Sequence, residues 1–304
     1  MNEKDREPIL AIALMAALAD GQATAEEKAR LQSVGTRLGI ADMDTLAGRV
    51  AMGALPLAEV AARLSDDEAR RTAYEMAVTV CNSDGTASAQ ETRFLMELRP
   101  LLGLDAAAAA ATQAEAAAIA GAPVAGPAVG TGTPASPAGL DELIQKQAII
   151  TGALELLPDR LANVAIIPLQ LRLVYQIGQA HGQQMDASQV KDLAGALGIG
   201  AAAQVAESAV RKLLGGLAGG LLGRALGGTT GLAAGAAVSF ASTYALGHVA
   251  KQYYAQGRNL SGDDLKALFT RFQAEAKALF PKLEQQIQAQ AQTVNVKQLL
   301  GLRG

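Results

Sequence analysis

The sequence predicts an all-α protein: an N-terminal helical bundle, a flexible linker and a C-terminal helical domain built on a glycine-ladder hairpin. Three observations predict it. Runs of β-branched and aromatic residues with a two-residue period are missing, so nothing reads as a sheet strand. Helix-start signals recur, as in Ser65-Asp66-Asp67-Glu68, Ser88-Ala89-Gln90-Glu91 and Ser261-Gly262-Asp263-Asp264. Residues 121–139 contain no charge and consist of Ala, Pro, Gly, Thr, Ser and Val, a composition that cannot bury enough apolar surface to fold. The 304 residues suggest two domains. Hydrophobic residues make up 50% but aromatics only 3%, with no Trp, so the cores must be closely packed Ala, Leu, Ile and Val.

The first module spans residues 1–105. A helix over 8–19 offers Ile9, Ile12, Leu14 and Leu18 to a core, and a second, from Thr24 to Gly39, offers Leu31, Val34 and Leu38. Short helices are expected over 44–52 and 57–64. A longer one opens at the Ser65 box and runs to Cys81, and the last starts near Ser88 and carries Phe94, Leu95 and Leu98. Residues 106–139 follow as an Ala-rich helix with little to pack against and then the linker, whose 19 residues reach roughly 25 Å as a coil. The second module covers 140–280. Pro158 breaks one helix, and the next carries Val164, Ile167, Leu171, Val174 and Gly178. Helices over 186–197 and 201–214 follow. Ser261 caps a helix with Leu265, Leu268, Phe269, Phe272, Ala276 and Leu279 on one stripe. Residues 281–304 form a Gln-rich tail, a looser helix or frayed end.

Charge and cysteine narrow the setting. Residues 1–105 hold 11 basic and 17 acidic side chains, whereas 106–304 hold 15 and 12. The acidic first module disfavours nucleic acid, and no basic cluster is interleaved with aromatics, so no nucleic-acid partner is expected. The mildly basic second module permits an anionic membrane surface as a neighbour. Cys81 is the sole cysteine, which excludes an intramolecular disulfide and fits a reducing, cytoplasmic compartment. The apolar run 9–19 follows mixed charges and flows into Asp20-Gly21, so it reads as a core helix rather than a signal peptide.

The first module repeats itself. Asp20-Gly21-Gln22-Ala23-Thr24-Ala25-Glu26-Glu27 recurs 64 residues later as Asp84-Gly85-Thr86-Ala87-Ser88-Ala89-Gln90-Glu91. Asp-Gly suits a helix end, Thr24 or Ser88 suits an N-cap, and Glu27 or Glu91 completes a capping box. A second reading uses the same residues as a divalent-cation site. The Gly-to-Glu spacing matches an EF-hand loop, but Val80 and Ala16 would stand at the first ligand position, so neither loop is an ordinary calcium site. A site shared by Asp20, Glu27, Asp84 and Glu91 stays open beside plain capping. Helix, Asp-Gly-x-x-(Ser/Thr)-x-x-Glu, helix, duplicated over about a third of the chain, resembles the tellurite-resistance TerB family. That resemblance implies a compact bacterial helical bundle tied to stress response and the cell envelope, with metal binding at the acidic pairs and no established catalysis.

In the second module Gly215, Gly219, Gly223, Gly227, Gly231 and Gly235 fall four residues apart, and Ser239, Thr243 and Gly247 continue the step. Such a stripe lets another backbone approach closely. A four-residue step overshoots the helical turn by about 40°, so one straight helix should not carry the whole ladder. A break at 227–231 gives two helices, 201–226 and 232–254, packed as a hairpin. Residues 225–250 carry no formal charge and would span about 39 Å as helix, enough for a bilayer core, although Lys212 and Arg224 prevent the other arm from spanning. A buried or self-associating helix and insertion in the inner membrane both remain open. Leu156-Leu157-Pro158-Asp159, Gln170-Leu171-Arg172-Leu173-Val174-Tyr175-Gln176-Ile177, His181-Gly182 and Phe240-Ala241-Ser242-Thr243-Tyr244-Ala245-Leu246-Gly247 resemble the DUF697 domain, with an EcsC-like flavour. That resemblance implies a helical module linked to membranes or GTPase partners.

Catalytic signatures are lacking in the sequence. There is no phosphate-binding Gly-x-x-x-x-Gly-Lys-(Ser/Thr) loop and no Gly-x-Ser-x-Gly elbow. His181 and His248 stand far from Cys81 and from each other, which excludes an ordinary zinc site. Cys81 reads as buried, His181 as a helix C-terminus and His248 as packed or capping. The expectation is a non-enzymatic bacterial stress-response or envelope-associated interaction protein, with a protein partner or self-association through the second module. The alternative is a soluble divalent-metal binder or sensor. No other cofactor is expected.

Overall fold

The computed structural model describes residues 3–19, 43–82, 85–125, 139–157, 160–186, 189–190, 193 and 231–302. Among these every regular element is helical and no strand occurs, so the protein is all-α. The chain divides into two compact units, with Ala120 in the first and Gly121 in the second.

In the first unit a 3-10 turn, Glu3–Asp5, leads into α1 (Arg6–Ala17), followed by α2 (Met43–Ala51), α3 (Leu57–Ala62), α4 (Asp67–Cys81), α5 (Ala89–Leu101) and α6 (Ala106–Ala120). Helix α1 is buried nearly all round, with Ile9, Ile12 and Leu14 in the core and Ala11, Ala13 and Ala16 fully covered. It packs chiefly on α4, where Ala73 and Ala77 are fully buried. Leu18 caps the C-terminus of α1 and is half-buried. The expected helix over 24–39 lies outside the described residues. Helix α6 corrects the expectation of a helix with little to pack against: Ala109, Ala116 and Ile119 are buried, and the Gln113 amide donates to the Tyr74 hydroxyl on α4.

One cap also differs. The N-cap of α4 is Asp66, which accepts from the Ala69 N–H at 2.8 Å. Ser65 instead donates its backbone N–H and hydroxyl to the two carboxylate oxygens of Asp5, at 2.8 and 2.7 Å. Asp5 is fully buried, and a buried carboxylate must find donors. Ser65 meets that demand, and Asp66 takes over the cap.

The second unit holds α7 (Leu140–Leu154), a 3-10 turn (Arg160–Ala165), α8 (Ile166–Ala180), α9 (Gly231–Ala255), α10 (Gly262–Thr293) and α11 (Val296–Leu300). Helix α9 is described from Gly231 onward; residues 227–230 of the expected break and the other ladder arm, including Gly215, Gly219, Gly223 and Gly227, lie outside the described residues, as do most of 186–197 and all of 201–214. Leu161–Ala180 is, among the described residues, the only helical stretch long and apolar enough to cross a membrane, and it is almost wholly buried within the unit. The described part of 225–250 is not apolar enough to cross one, because Ala, Gly, Ser and Thr make up most of it.

The C-terminal residues are not a loose tail. Helix α10 continues through Pro281 to Thr293, with Phe280 and Ile287 buried. Leu300 of α11 is buried as well. Arg172 on α8, itself buried, donates from Nη1 to the Leu299 carbonyl at 3.0 Å and from Nη2 to those of Pro123 and Leu300 at 2.9 and 3.3 Å. It ties the start and the end of the unit together. Burial pushes this guanidinium below its ordinary value.

Candidate functional site

The ladder residues that the structure describes run along the face of α9 that meets α7. A Cβ added at Gly247 would stand 2.7 Å from Ile144 Cγ1, and one added at Gly152 of α7 would stand 3.2 Å from the Ala236 carbonyl. Between these close approaches, polar groups cross from helix to helix. The Thr151 and Thr243 hydroxyls are 2.8 Å apart, the Gln170 amide of α8 donates to Thr243 at 2.9 Å, and Ser239 donates to the Glu155 carboxylate at 2.7 Å. Glu155 also accepts from Asn163 at 3.3 Å. A tight small-residue seam thus pins the register of α7 against α9. The helix partner demanded by the glycines is, for Gly247 and Gly235, the α7 segment and Glu155 beyond it.

Beside the N-terminal half of that seam lies a cleft of about 1030 Å³ between α7, α9 and α10. Tyr244, His248 and Phe272 line it, and they continue an aromatic column that starts at Phe240 in the core. Phe240, fully buried, stacks on Tyr244 with centroids 6.0 Å apart; Tyr244 meets His248 at 4.3 Å, and His248 stacks on Phe272 at 4.9 Å. The Arg271 guanidinium covers Phe272, 4.7 Å from the ring centre. In a chain with only five Phe and five Tyr, three of them, Phe240, Tyr244 and Phe272, gather with His248 at this place.

The ionisable groups are paired across the helices. Lys251 Nζ lies 2.6 Å from Asp141 Oδ1, and His248 Nδ1 lies 3.7 Å from the same oxygen. The Tyr244 hydroxyl donates to Glu275 at 3.0 Å. Burial lowers the His248 pKa from its ordinary value; Asp141 and Glu275 pull it back and Lys251 adds to the fall. Burial, then the Glu275 carboxylate, pushes Tyr244 up to about 12. Glu142, Lys146 and four glutamines, Gln145, Gln252, Gln286 and Gln290, complete the rim. The arrangement can hold a polar ligand by both signs of charge, by amides and by an aromatic face.

The residues expected to hold a metal fare differently. Asp20, Glu27 and Asp84 lie outside the described residues. Glu91 is buried and works as the capping box: Ser88 N–H donates to Glu91 Oε2 at 2.7 Å, and Glu91 N–H donates to the Ser88 hydroxyl at 3.2 Å. Asn82 braces the same turn, accepting from Ala87 N–H. Among the described residues no group of three or more His, Cys, Asp or Glu is placed to hold a metal. Cys81 is buried, and His181 forms the C-cap of α8 before Gly182 at φ 71°, as the sequence suggested.

Sequence reasoning missed the cleft. The packed reading of His248 agrees with its place between Tyr244 and Phe272, but Lys251 reads from the sequence as a residue of a membrane interface, and Asp141, Arg271 and Glu275 carry no local signal. A signal existed, since Tyr244, His248 and Gln252 step by four along one face of α9, but Asp141 lies 110 residues from Lys251 and no local pattern joins them. No family model, curated protein or solved structure matches the chain.

Proposed function

We propose that the protein is a non-enzymatic interaction protein whose second module receives a polar ligand in the cleft between α7, α9 and α10. The observation that supports this is the cleft's make-up: an aromatic wall from Tyr244 to Phe272 rimmed by Asp141, Lys251, Arg271 and Glu275. Ligand sites combine an apolar surface with a few convergent polar groups in this way. A thermal-shift screen against polar metabolites and short peptides tests it. Compounds that raise the melting temperature of the wild type, but not of a Lys251→Ala/Arg271→Ala variant, are expected. A library without one such compound overturns the reading.

The cellular setting, a bacterial stress-response or envelope role at the cytoplasmic face of the inner membrane with a GTPase or other protein partner, rests on the two sequence resemblances. Fractionation with an alkaline-carbonate wash tests it. Retention in the washed pellet favours insertion. Release by the wash favours peripheral association, and recovery in the first supernatant removes the membrane from the proposal.

A further inference from the structure

We propose that the cleft binds a short peptide with free termini, whose carboxylate draws Lys251 away from Asp141. The inference rests on the cleft being a ligand site and goes on to name the ligand. Three side chains of each sign line it: Lys146, Lys251 and Arg271 against Asp141, Glu142 and Glu275. A purely anionic ligand would meet the three carboxylates, and a purely cationic one the three cations; a zwitterion satisfies both sets. About 1030 Å³ stands at the upper end of ligand pockets, roughly 300–1,000 Å³, more than a single amino acid fills. Glutamine side chains offer the donor–acceptor pair that a peptide unit requires, and the Tyr244–His248–Phe272 wall offers a surface for an apolar side chain.

The geometry also supplies a proton-linked exchange. Asp141 Oδ1 is within reach of two cationic groups, Lys251 at 2.6 Å and His248 at 3.7 Å. With His248 neutral, Lys251 holds Asp141. When a ligand carboxylate takes Lys251, Asp141 is left without its partner, and protonation of His248 restores one. The groups facing His248 are Asp141 from α7, Tyr244 and Lys251 from α9, and Glu275 from α10, with Arg271 beyond the Phe272 ring. Removing Lys251 from Asp141 lessens a positive charge that opposes the imidazolium. Ligand binding should therefore take up a proton, and affinity should rise as pH falls.

The test is calorimetry and NMR titration of the full chain with Gly-Phe-Gly, alongside its N-acetylated, C-amidated and doubly blocked forms. The free tripeptide is expected to bind best. Amidation should weaken it roughly tenfold or more, the loss of one charge-assisted contact, and acetylation should weaken it as well. Lys251→Ala should remove the preference for the free carboxylate, and His248→Gln should remove the pH dependence while circular dichroism stays unchanged. Equal binding of the free and doubly blocked forms at the cleft, read from Tyr244 and His248 resonances, overturns the zwitterion but keeps the cleft as a ligand site. Equal binding of the free and acetylated forms points to the C-terminus of a larger partner and overturns the short peptide. No resonance shift with any form overturns the peptide. If the metabolite screen is also empty, the cleft reading falls with it.

Discussion

The two units put several of their buried polar groups to different use, although Thr72 and Thr79 are also buried within α4 of the first unit and Glu155 at the end of α7 in the second. In the first, Asp5, Asn82 and Glu91 sit at helix ends, where each answers backbone or hydroxyl donors of a neighbouring turn. In the second, Thr151, Gln170, Ser239 and Thr243 sit in helix middles and bond across from one helix to another. Buried polar groups at helix ends satisfy donors that the helix leaves orphaned. Buried polar groups in helix middles have no such local duty, because the backbone there is already bonded. They fix which helices meet and in what register. The first unit thus reads as a bundle held by aliphatic packing and good caps, and the second as a scaffold whose register positions a cleft.

Four experiments can break or sharpen that contrast. The largest effect is expected at Gly247. Even a Cβ there stands 2.7 Å from buried Ile144, so Gly247→Leu should destabilise the second unit by upwards of about 3 kcal/mol in a denaturant melt. Gly48 of α2 has open space around it, and Gly48→Ala should stabilise by about 0.5–1 kcal/mol. If both substitutions behave alike, the glycines of the two units do not differ in role.

Next comes Arg172. Arg172→Met leaves the carbonyls of Pro123, Leu299 and Leu300 without their donor and should cost about 3 kcal/mol. Limited proteolysis should cut near α11 faster than in the wild type. An unchanged cleavage rate would mean that α11 is held by Leu300 packing alone. A smaller loss, about 1 kcal/mol, is expected for Ser88→Ala, which removes the cap but leaves the core intact. A loss several times larger in urea unfolding would show that this turn carries more than a cap, and would revive the duplicated Asp-Gly…Glu motif as a site.

The smallest effect is a pH slope. Burial lowers the pKa of His248 below 6.5, so the unfolded chain takes the proton more readily than the folded one. That contribution to stability is present above pH 6.5 and is lost as pH falls through the folded value. The melting temperature should decline between pH 7.5 and 5.5, less so in His248→Gln. A His248→Gln slope as steep as the wild type would place the titrating group elsewhere.

Local chemistry explains what could be read in advance. The box at Ser88 and Glu91 and the cap at Ser261 and Asp264 were legible because each partner lies three residues away. The ladder announced close packing, because a four-residue step returns to nearly the same helical face. The Ser65 box misled, since Asp5 competes for Ser65 across 60 residues. The Ala-rich helix and the Gln-rich tail looked idle because a partner such as Tyr74 or Arg172 cannot be seen from within the segment.

The sequence by itself determined that the chain is helical, where several helices begin, and that α9 must meet another backbone, because propensity, capping and periodicity act over one or two turns. Only the tertiary structure decided that Asp141, Tyr244, His248, Lys251, Arg271 and Glu275 share one cleft. Their meeting depends on how three helices far apart in the chain pack, and side-chain burial and charge, which give those groups their properties, exist only after that packing.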